Sequence, residues 1–481
     1  MDWRSIILNI LLRFKLYVNR ISILLNTNKT VVRSFLVGFL FRMACEIAIG
    51  KFPIGYDPST SYILVCVRKD WLDLIAIGPL FFYLLLPVYI IVGNALVAVK
   101  IMACFVSGFF TMSLAIWGRK NGISDEIIIS FTLFIYFYFV VLRIAWDLHR
   151  NLLGIALSLL ALSYYKEKPW IGFIYAFLAS FTHPLSIFII GTSLLADLIK
   201  LRKEATITAS GSVLATAIIY FYRMFIYELP PTEAFVTTQQ PWYIDMKLLP
   251  IYFLWLYLPL LPFIFLLLWK RIRGEIKSLM NIIGEPCLYW ILGLTIPSFI
   301  FIFAYRLFFL VSIPILYMVF NGFRTKGKKT IRLLIIYNVV VSATYPVISY
   351  IYPIHPSFRN TFPSVLIGGT MFPWDGYDAE ALYREVKELL NATSALIVHH
   401  LEICYAYSAG IPLLNNNVIT TLPADNFDEY LKTAKTNFSI VYIVWYIKPI
   451  IGSWSVPQNY TDIVDTRGNM AIYMYNFKCT N

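Results

Sequence analysis

Long apolar runs, separated by short clusters of lysine and arginine, are the feature that most constrains the fold of this chain. A helix needs roughly 20 predominantly apolar residues to cross a bilayer. Candidate runs lie at about residues 34–50, 95–117, 127–143, 151–164, 171–189, 186–199, 206–226, 248–269, 284–304, 307–322 and 331–351. With 59% hydrophobic and 14% charged residues, the chain is predicted to be a polytopic α-helical membrane bundle of about 11 spans.

The basic clusters predict the orientation of the bundle. The net charge of +13 comes from lysine and arginine between the apolar runs, which indicates cytoplasmic loops and not a nucleic-acid surface. All the clusters can be cytoplasmic only if a twelfth apolar run, 74–93, does not cross. Pro79 and Pro87 within it favour a bent element over a straight span. We therefore expect a plasma-membrane protein in contact with membrane lipids, with a cytoplasmic N-terminus, an external C-terminus and an outer, membrane-hugging segment over 51–94.

Composition divides the chain into three predicted parts. Residues 1–33 are basic and amphipathic, and we expect them to be cytoplasmic; residues 34–351 form the transmembrane domain. Residues 352–481 are predicted to form a small extracytoplasmic α/β domain, because helix-like and strand-like segments alternate there. The helix-like segments are 378–390, 402–409 and 425–436, and the strand-like segments are 394–399 and 439–446. Three glycosylation sequons in this tail agree with an external position.

A few charged or polar residues lie on the predicted outer face, although membrane proteins concentrate lysine and arginine in their cytoplasmic loops. They are Asp57, Tyr62, Arg143, Asp147, Arg150, His183 and Arg306. Arginine binds phosphate through two hydrogen bonds and stabilises the charge of a leaving phosphate. A carboxylate beside an acceptor hydroxyl can take its proton. We therefore expect Asp57 to be the catalytic base, the three arginines to contact phosphate, and Tyr62, Asp147 and His183 to line the pocket.

Most of these residues also have a structural interpretation. Arg143 and Arg150 could be interfacial residues whose charged ends reach water. His183, which precedes a proline, could cap a helix end, and Asp57 could cap a short interfacial helix. Asp147 and Arg150 could simply pair with each other. The functional interpretation therefore depends on all of these groups meeting in one place.

One acid–base pair inside the first predicted span has a structural interpretation only. Arg42 and Glu46 are four residues apart on one helix face. Unpaired charges at that depth would be costly, so we expect a buried pair that stabilises the bundle. In the tail, His399 and His400 could bind a metal together with Glu402, but we interpret the two histidines as the end of a strand.

Four short motifs resemble those of the GT-C glycosyltransferase superfamily, especially its archaeal multi-span members. They are Pro53-Ile-Gly-Tyr-Asp57, Trp146-Asp-Leu-His-Arg-Asn151, His183-Pro184 and Arg306 near a late span. The resemblance implies a transferase that moves a sugar from a polyprenyl-phosphate-linked donor to a glycan, lipid or protein acceptor at the external face. It implies that Asp57 is the family's outer-loop acid. No cofactor is expected to be required, and the use of a divalent metal is left open.

Two functions from other classes remain open at this point. A transporter is one alternative, although the chain shows no inverted repeat and few mid-span charges along a pathway. A catalytically inactive membrane scaffold that presents the outer domain is the other. The sequence contains no glycine-rich phosphate loop, and nothing else in it indicates nucleotide binding.

Overall fold

The computed structural model describes residues 28–68, 72–226, 248–274, 280–300, 307–352, 373–421, 427–447 and 457–477. Within these ranges the protein is mostly helical and ends in a small sheet. Most of the predicted N-terminal segment and the candidate residue Arg306 lie outside the described residues.

Helices make up the described membrane part. The first half contains α1 (Lys29–Ile49), α2 (Tyr56–Ser59), α3 (Ser61–Arg68), a 3-10 turn (Asp73–Ile77), α4 (Leu80–Val92), α5 (Ala95–Lys120), α6 (Ile128–Tyr136), α7 (Phe139–Asp147), α8 (His149–Tyr164) and α9 (Pro169–Thr182). The second half contains α10 (Ser186–Ser193), α11 (Leu195–Ile199), α12 (Lys203–Ile226), α13 (Leu249–Tyr257), α14 (Leu261–Ile272), α15 (Met280–Ile283), α16 (Glu285–Ile300), α17 (Leu307–Phe323) and α18 (Lys328–Ile351).

Five described helical stretches are long and apolar enough to cross a membrane, and there are six if the bent pair α6–α7 is one span. These stretches are α5, α12, Leu249–Ile272, Leu307–Lys326 and Lys328–Ile348. The polytopic membrane class is therefore confirmed, while the count of 11 stays a prediction. Helix α4 has 13 residues and is about 20 Å long, which is shorter than the hydrocarbon core of about 30 Å. That the 74–93 run does not cross the membrane stays a prediction.

A sharp bend separates α6 from α7, whose axes differ by 74°. A helix break inside a membrane protein exposes backbone carbonyls that need donors. Helix α18 supplies them: the Asn338 side chain donates to the Phe134 carbonyl at 2.6 Å, and the Ser342 hydroxyl donates to the Phe137 carbonyl. The bend is thereby stabilised, and α7 ends at Asp147, beside Arg143 one turn earlier.

The C-terminal part is the α/β domain that the sequence predicts. Its elements are α19 (Pro373–Leu389), β1 (Ser394–Val398), a 3-10 turn (His400–Glu402), α20 (Ile403–Ser408), β2 (Val418–Thr420), α21 (Phe427–Asn437), β3 (Ile440–Tyr446), β4 (Asp462–Arg467) and β5 (Met470–Asn476). The strand order is β2-β1-β3-β5-β4. Strand β1 pairs in parallel with β2 and β3, and β5 pairs antiparallel with β3 and β4.

Candidate functional site

A buried ion pair in α1 holds the loop that leads to Asp57. The Arg42 guanidinium donates to Glu46 Oε1 at 2.6 and 2.9 Å, to the Ala145 carbonyl at 2.9 Å and to the Ile54 carbonyl at 3.2 Å. Glu46 Oε2 accepts the Ile54 N–H at 3.3 Å. Because both side chains are buried, the predicted structural pair is confirmed. It does more than stabilise one helix, since it ties α1, the loop and the end of α7 together.

A second cation fixes the start of the same loop. Lys100 of α5 donates to the Glu46 carbonyl at 2.7 Å and to the Gly50 carbonyl. Its ammonium lies 3.7 Å from the Glu46 carboxylate. The carbonyls at the end of α1 thus have a charged donor, as helix C-termini favour.

Gly55 lets the loop lie directly against the end of α7. Its φ is +104°, a conformation that residues with a Cβ rarely adopt. A Cβ at Gly55 would overlap the Trp146 carbonyl and come within 2.9 Å of Asp147 Cα. The close approach allows the backbone N–H of Asp57 to donate to Asp147 Oδ1 at 3.1 Å. Helix α2, with the half-buried Asp57 in its first turn, is thereby fastened to Asp147.

Asp147 joins the Asp57 helix to an arginine. Its second carboxylate oxygen pairs with Arg143, one turn earlier on α7. The side chain of Asp147 is 4% exposed and that of Arg143 is 18% exposed. The observed partner of Asp147 is therefore Arg143, and not Arg150 as the structural interpretation of the sequence suggested. Asp57 makes its contact with Asp147 through its backbone N–H.

Arg150 enters the cluster from α8. Its guanidinium carbon lies 5.1 Å from the centroid of the Phe82 ring, which is a cation–π distance. Its Nε is buried and makes no hydrogen bond to any residue that the structure describes. Gly78, with φ at +89°, leaves room here: a Cβ at this position would be 3.2 Å from Arg150 Nη2 and 2.6 Å from the Thr182 carbonyl. The 74–93 segment, α8 and the end of α9 therefore meet at Arg150.

Tyr62 forms part of the wall of this cluster. It is 1% exposed, and its ring centroid lies 4.7 Å from that of Phe81 and 5.8 Å from that of His149. Burial raises the pKa of the Tyr62 phenol, the nearby Asp57 carboxylate raises it further, and Arg150 acts in the opposite direction. Tyr62 thus lies within electrostatic range of both charged groups, while a direct contact with substrate stays a prediction.

His183 lies at the edge of the cluster and caps a helix end. Its Nδ1 accepts the Leu185 N–H at 3.2 Å, as the structural interpretation expects. A Cβ at Gly154, one turn beyond Arg150 on α8, would be 3.6 Å from the Cβ of His183. A role in the pocket stays a prediction for this half-buried residue.

The sequence interpretation missed the residues that hold the cluster together. Gly55 and Gly78 set two close approaches, and both stand in turn-like stretches next to proline-containing segments. His149 is fully buried next to Tyr62 and Phe81. No role of its own was predicted for it from the sequence. Glycines in turns are the one signal that could have indicated these contacts.

The histidine pair of the C-terminal domain lies directly after β1, at the strand end that the sequence predicts. His399 Nδ1 accepts the Leu401 N–H at 3.3 Å just after β1, and burial lowers the pKa of its imidazole. Glu402 is fully buried and accepts a hydrogen bond from Tyr383, and burial raises the pKa of its carboxyl well above the usual value. Among the described residues, no group of three or more His, Cys, Asp or Glu side chains is placed to hold a metal ion.

Comparison with solved structures finds the same fold in ArnT from Cupriavidus metallidurans. The apo crystal structure of ArnT superposes with a TM-score of 0.58 at 10% identity, covering 92% of this chain and 97% of that chain. The structure of ArnT bound to undecaprenyl phosphate gives a TM-score of 0.52 at 9% identity with the same coverage. No family model matches the chain, and no curated protein matches it in sequence. The likeness is one of fold.

Proposed function

We propose that this protein is a membrane glycosyltransferase that takes a sugar from a polyprenyl-phosphate-linked donor at the external face of the membrane. The acceptor is a hydroxyl of a glycan, lipid or protein. Asp57 is the base, and Arg143 and Arg150 contact the donor phosphate. Arg306, predicted from the sequence, is a third candidate for that contact.

The observation that supports this proposal best is the meeting of two segments that lie 90 residues apart in sequence. Asp57 comes from α2, the Arg143–Asp147 pair from α7 and Arg150 from α8. Asp57, Arg143 and Arg150 are neither sealed nor fully exposed, which leaves each of them partly accessible. An acid and two arginines at such a site suit the transfer of a group away from a phosphate.

The proposed reaction uses each of these groups once. The Asp57 carboxylate accepts the proton of the acceptor hydroxyl as its oxygen attacks the anomeric carbon of the sugar. The bond between that carbon and the phosphate oxygen breaks, and polyprenyl phosphate leaves with the bonding electrons. The Arg143 and Arg150 guanidiniums stabilise the negative charge that develops on the leaving phosphate. Attack from the face opposite the phosphate would invert the anomeric centre, as the GT-C resemblance implies.

The lipid class of the donor has support from the fold neighbour. One ArnT structure contains undecaprenyl phosphate, which is the kind of product that this reaction would release. Fold likeness alone does not assign an activity, so the donor class of this chain rests on the likeness together with the arginines of the cluster.

Asp57→Asn tests the proposal. The protein in lipid nanodiscs would be incubated with a radiolabelled polyprenyl-phosphate-linked hexose and a membrane extract as the source of acceptor. We expect the rate of release of polyprenyl phosphate to fall by about 10²- to 10⁴-fold, with an unchanged elution volume and melting temperature. Asp73→Asn is the matched control, because Asp73 belongs to the same outer segment but is exposed.

Three results would contradict the proposal. Retained transfer in Asp57→Asn removes the proposed base. Equal loss in Asp57→Asn and Asp73→Asn would show that charge in the outer segment matters and the cluster does not. Solute flux through liposomes without any transfer would favour a transporter, and the absence of both would favour a scaffold.

A further inference from the structure

The outer domain touches the loop that carries Asp57. Lys51 Nζ pairs with Glu380 Oε1 of α19 at 2.6 Å, and the Phe52 ring lies 4.6 Å from the Tyr405 ring and 5.4 Å from the Tyr377 ring. Phe52 is 4% exposed, so its ring is covered. The start of the loop is thus held by one ion pair and two aromatic contacts from a domain more than 300 residues away in sequence.

Glu380 is a firmly held partner. Its side chain is 6% exposed and it pairs with Arg384 of the same helix at 2.5 Å as well as with Lys51. Burial alone would raise the pKa of the Glu380 carboxyl, but the hydrogen bonds from Lys51 and Arg384 outweigh burial and lower it. The carboxylate is therefore ionised, and it has a cation on each side.

Two further contacts join the domains near the same place. The Tyr407 hydroxyl accepts the N–H of Ala95, the first residue of α5, at 3.2 Å. The turn His400–Glu402, at the carboxyl end of β1, packs against α2, the short helix that contains Asp57. The carboxyl end of this parallel strand, an edge where open α/β sheets usually bind ligands, therefore faces the candidate site.

The loop between Gly50 and Asp57 is held by contacts along most of its length. Arg42 and Glu46 hold Ile54 from the membrane side, Gly55 lies against Trp146, and Lys51 and Phe52 are held by the outer domain. Only four residues separate Phe52 from Asp57. Lys51 and Phe52 are therefore the contacts through which the outer domain can act on the backbone that places the Asp57 carboxylate.

We propose that the outer domain positions the catalytic loop, and that Lys51 and Glu380 are the positioning residues through which it does so. The inference rests on the proposed function of Asp57. It assigns the outer domain a part in the reaction itself, beyond presenting a surface to the exterior. Small displacements of a reacting group, on the order of 1 Å, reduce rates by about 10²-fold.

The test compares Lys51→Glu with a charge swap. All variants would carry Arg384→Ala, so that a lysine at position 380 does not face a second cation. We expect Lys51→Glu to lower kcat by about 10- to 100-fold with little change in the KM for the donor, because the loop is displaced while the arginines are not. Lys51→Glu with Glu380→Lys should restore kcat to within about threefold of the Arg384→Ala background, and Lys51→Arg should retain it.

Hydrogen exchange gives a readout that does not depend on transfer. Peptides that cover residues 50–60 should exchange about 10-fold faster in Lys51→Glu, and at the background rate in the swapped protein. Arg384→Ala alone is the matched control: it removes the other partner of Glu380 without touching the loop, so loop exchange should not change. If the wild type transfers no sugar, the proposed function fails while the exchange data still test positioning. Unchanged exchange and kcat in Lys51→Glu, or no recovery in the swap, would overturn the inference.

Discussion

Two arginine–carboxylate pairs with the same i,i+4 spacing differ in how deeply they are buried in this molecule. Arg42–Glu46 in α1 is sealed, with side chains 0% and 4% exposed, whereas Arg143–Asp147 in α7 has an arginine that is 18% exposed. Arg42 also donates to backbone carbonyls of two other segments. The sealed pair is thus a structural joint, and the open pair faces the site where we place the phosphate.

Spacing in the sequence therefore does not separate the buried structural pair from the pair that we propose to lie at the phosphate site. Both pairs consist of an arginine and an acid four residues later. Both carboxylates also accept a backbone N–H from the same stretch of chain, at Ile54 and Asp57. The difference is the exposure of the arginine, which depends on what packs against it. Four changes would break or sharpen the contrast.

Loss of the sealed arginine should have the largest effect. Arg42→Met leaves Glu46 buried without its main cation, which should reduce the free energy of unfolding by about 3–5 kcal/mol. Thermal melting in nanodiscs measures the change. Arg42→Met with Glu46→Leu removes both charges and should recover part of the lost stability. A single variant that melts at the wild-type temperature would show that the pair is not a structural joint.

Loss of the open arginine should affect the reaction more than the fold. Arg143→Ala should lower kcat/KM for the donor by about 100-fold, because one phosphate contact is lost. It leaves the buried Asp147 carboxylate without this cation, so the free energy of unfolding should also fall, but by less than in Arg42→Met, because Arg143 is itself 18% exposed. Arg119→Ala is the control, since Arg119 also pairs with an aspartate, Asp125, in a different part of the bundle. The contrast would fail if both alanine variants behaved alike.

The glycine where the two pairs meet should be intolerant of a side chain. Gly55→Ala puts a Cβ at a φ of +104° and into the Trp146 carbonyl, at a cost of about 1–3 kcal/mol. We expect faster hydrogen exchange of the loop and a lower transfer rate. Gly93→Ala is matched to it, because Gly93 has φ at +71° but nothing within 4 Å of an added Cβ. A larger effect at Gly93 would contradict the close approach.

Acid should weaken the contact between the domains by the smallest amount. The pKa of Glu380 is lowered from its usual value of 4.5 by its hydrogen bonds with Lys51 and Arg384, against the effect of burial. The bound state therefore favours the ionised form, so this contribution is complete above pH 4.5 and is lost as the pH falls through the lowered pKa. The rate of hydrogen exchange in the loop, corrected for its intrinsic pH dependence, should rise as the pH falls through the lowered pKa of Glu380. Glu380→Gln should abolish the pH dependence; if the dependence persists, another group is responsible.

Much of the architecture could be predicted from the sequence. Apolar length and basic clusters indicated the polytopic bundle, and alternating helix-like and strand-like segments located α19, β1, α20, α21 and β3. Strands β2, β4 and β5 were missed, the first two of them for local reasons. Strand β2 has three residues, and the largely exposed β4 reads DIVDTR, a polar stretch that resembles a loop.

The site could be predicted in part. Asp57, Arg143, Asp147 and Arg150 were indicated as charges on the outer face. The structure joins the first three by contacts at Asp147, and Arg150 lies within electrostatic range of Asp57. Their partners could not be predicted, because a contact such as Asp57 with Asp147 joins residues 90 positions apart. The pairing of Asp147 with Arg143 and not Arg150 depends on α7 ending at Asp147, since Arg150 belongs to the next helix.

The most direct test of the account is the position of a lipid phosphate in the structure of the protein bound to undecaprenyl phosphate. A cryo-EM map of the wild type in nanodiscs with this lipid should show the phosphate within hydrogen-bond distance of the Arg143 or Arg150 guanidinium and beside the Asp57 carboxylate. A phosphate bound away from both arginines, with Asp57 facing lipid or open water, would contradict the account.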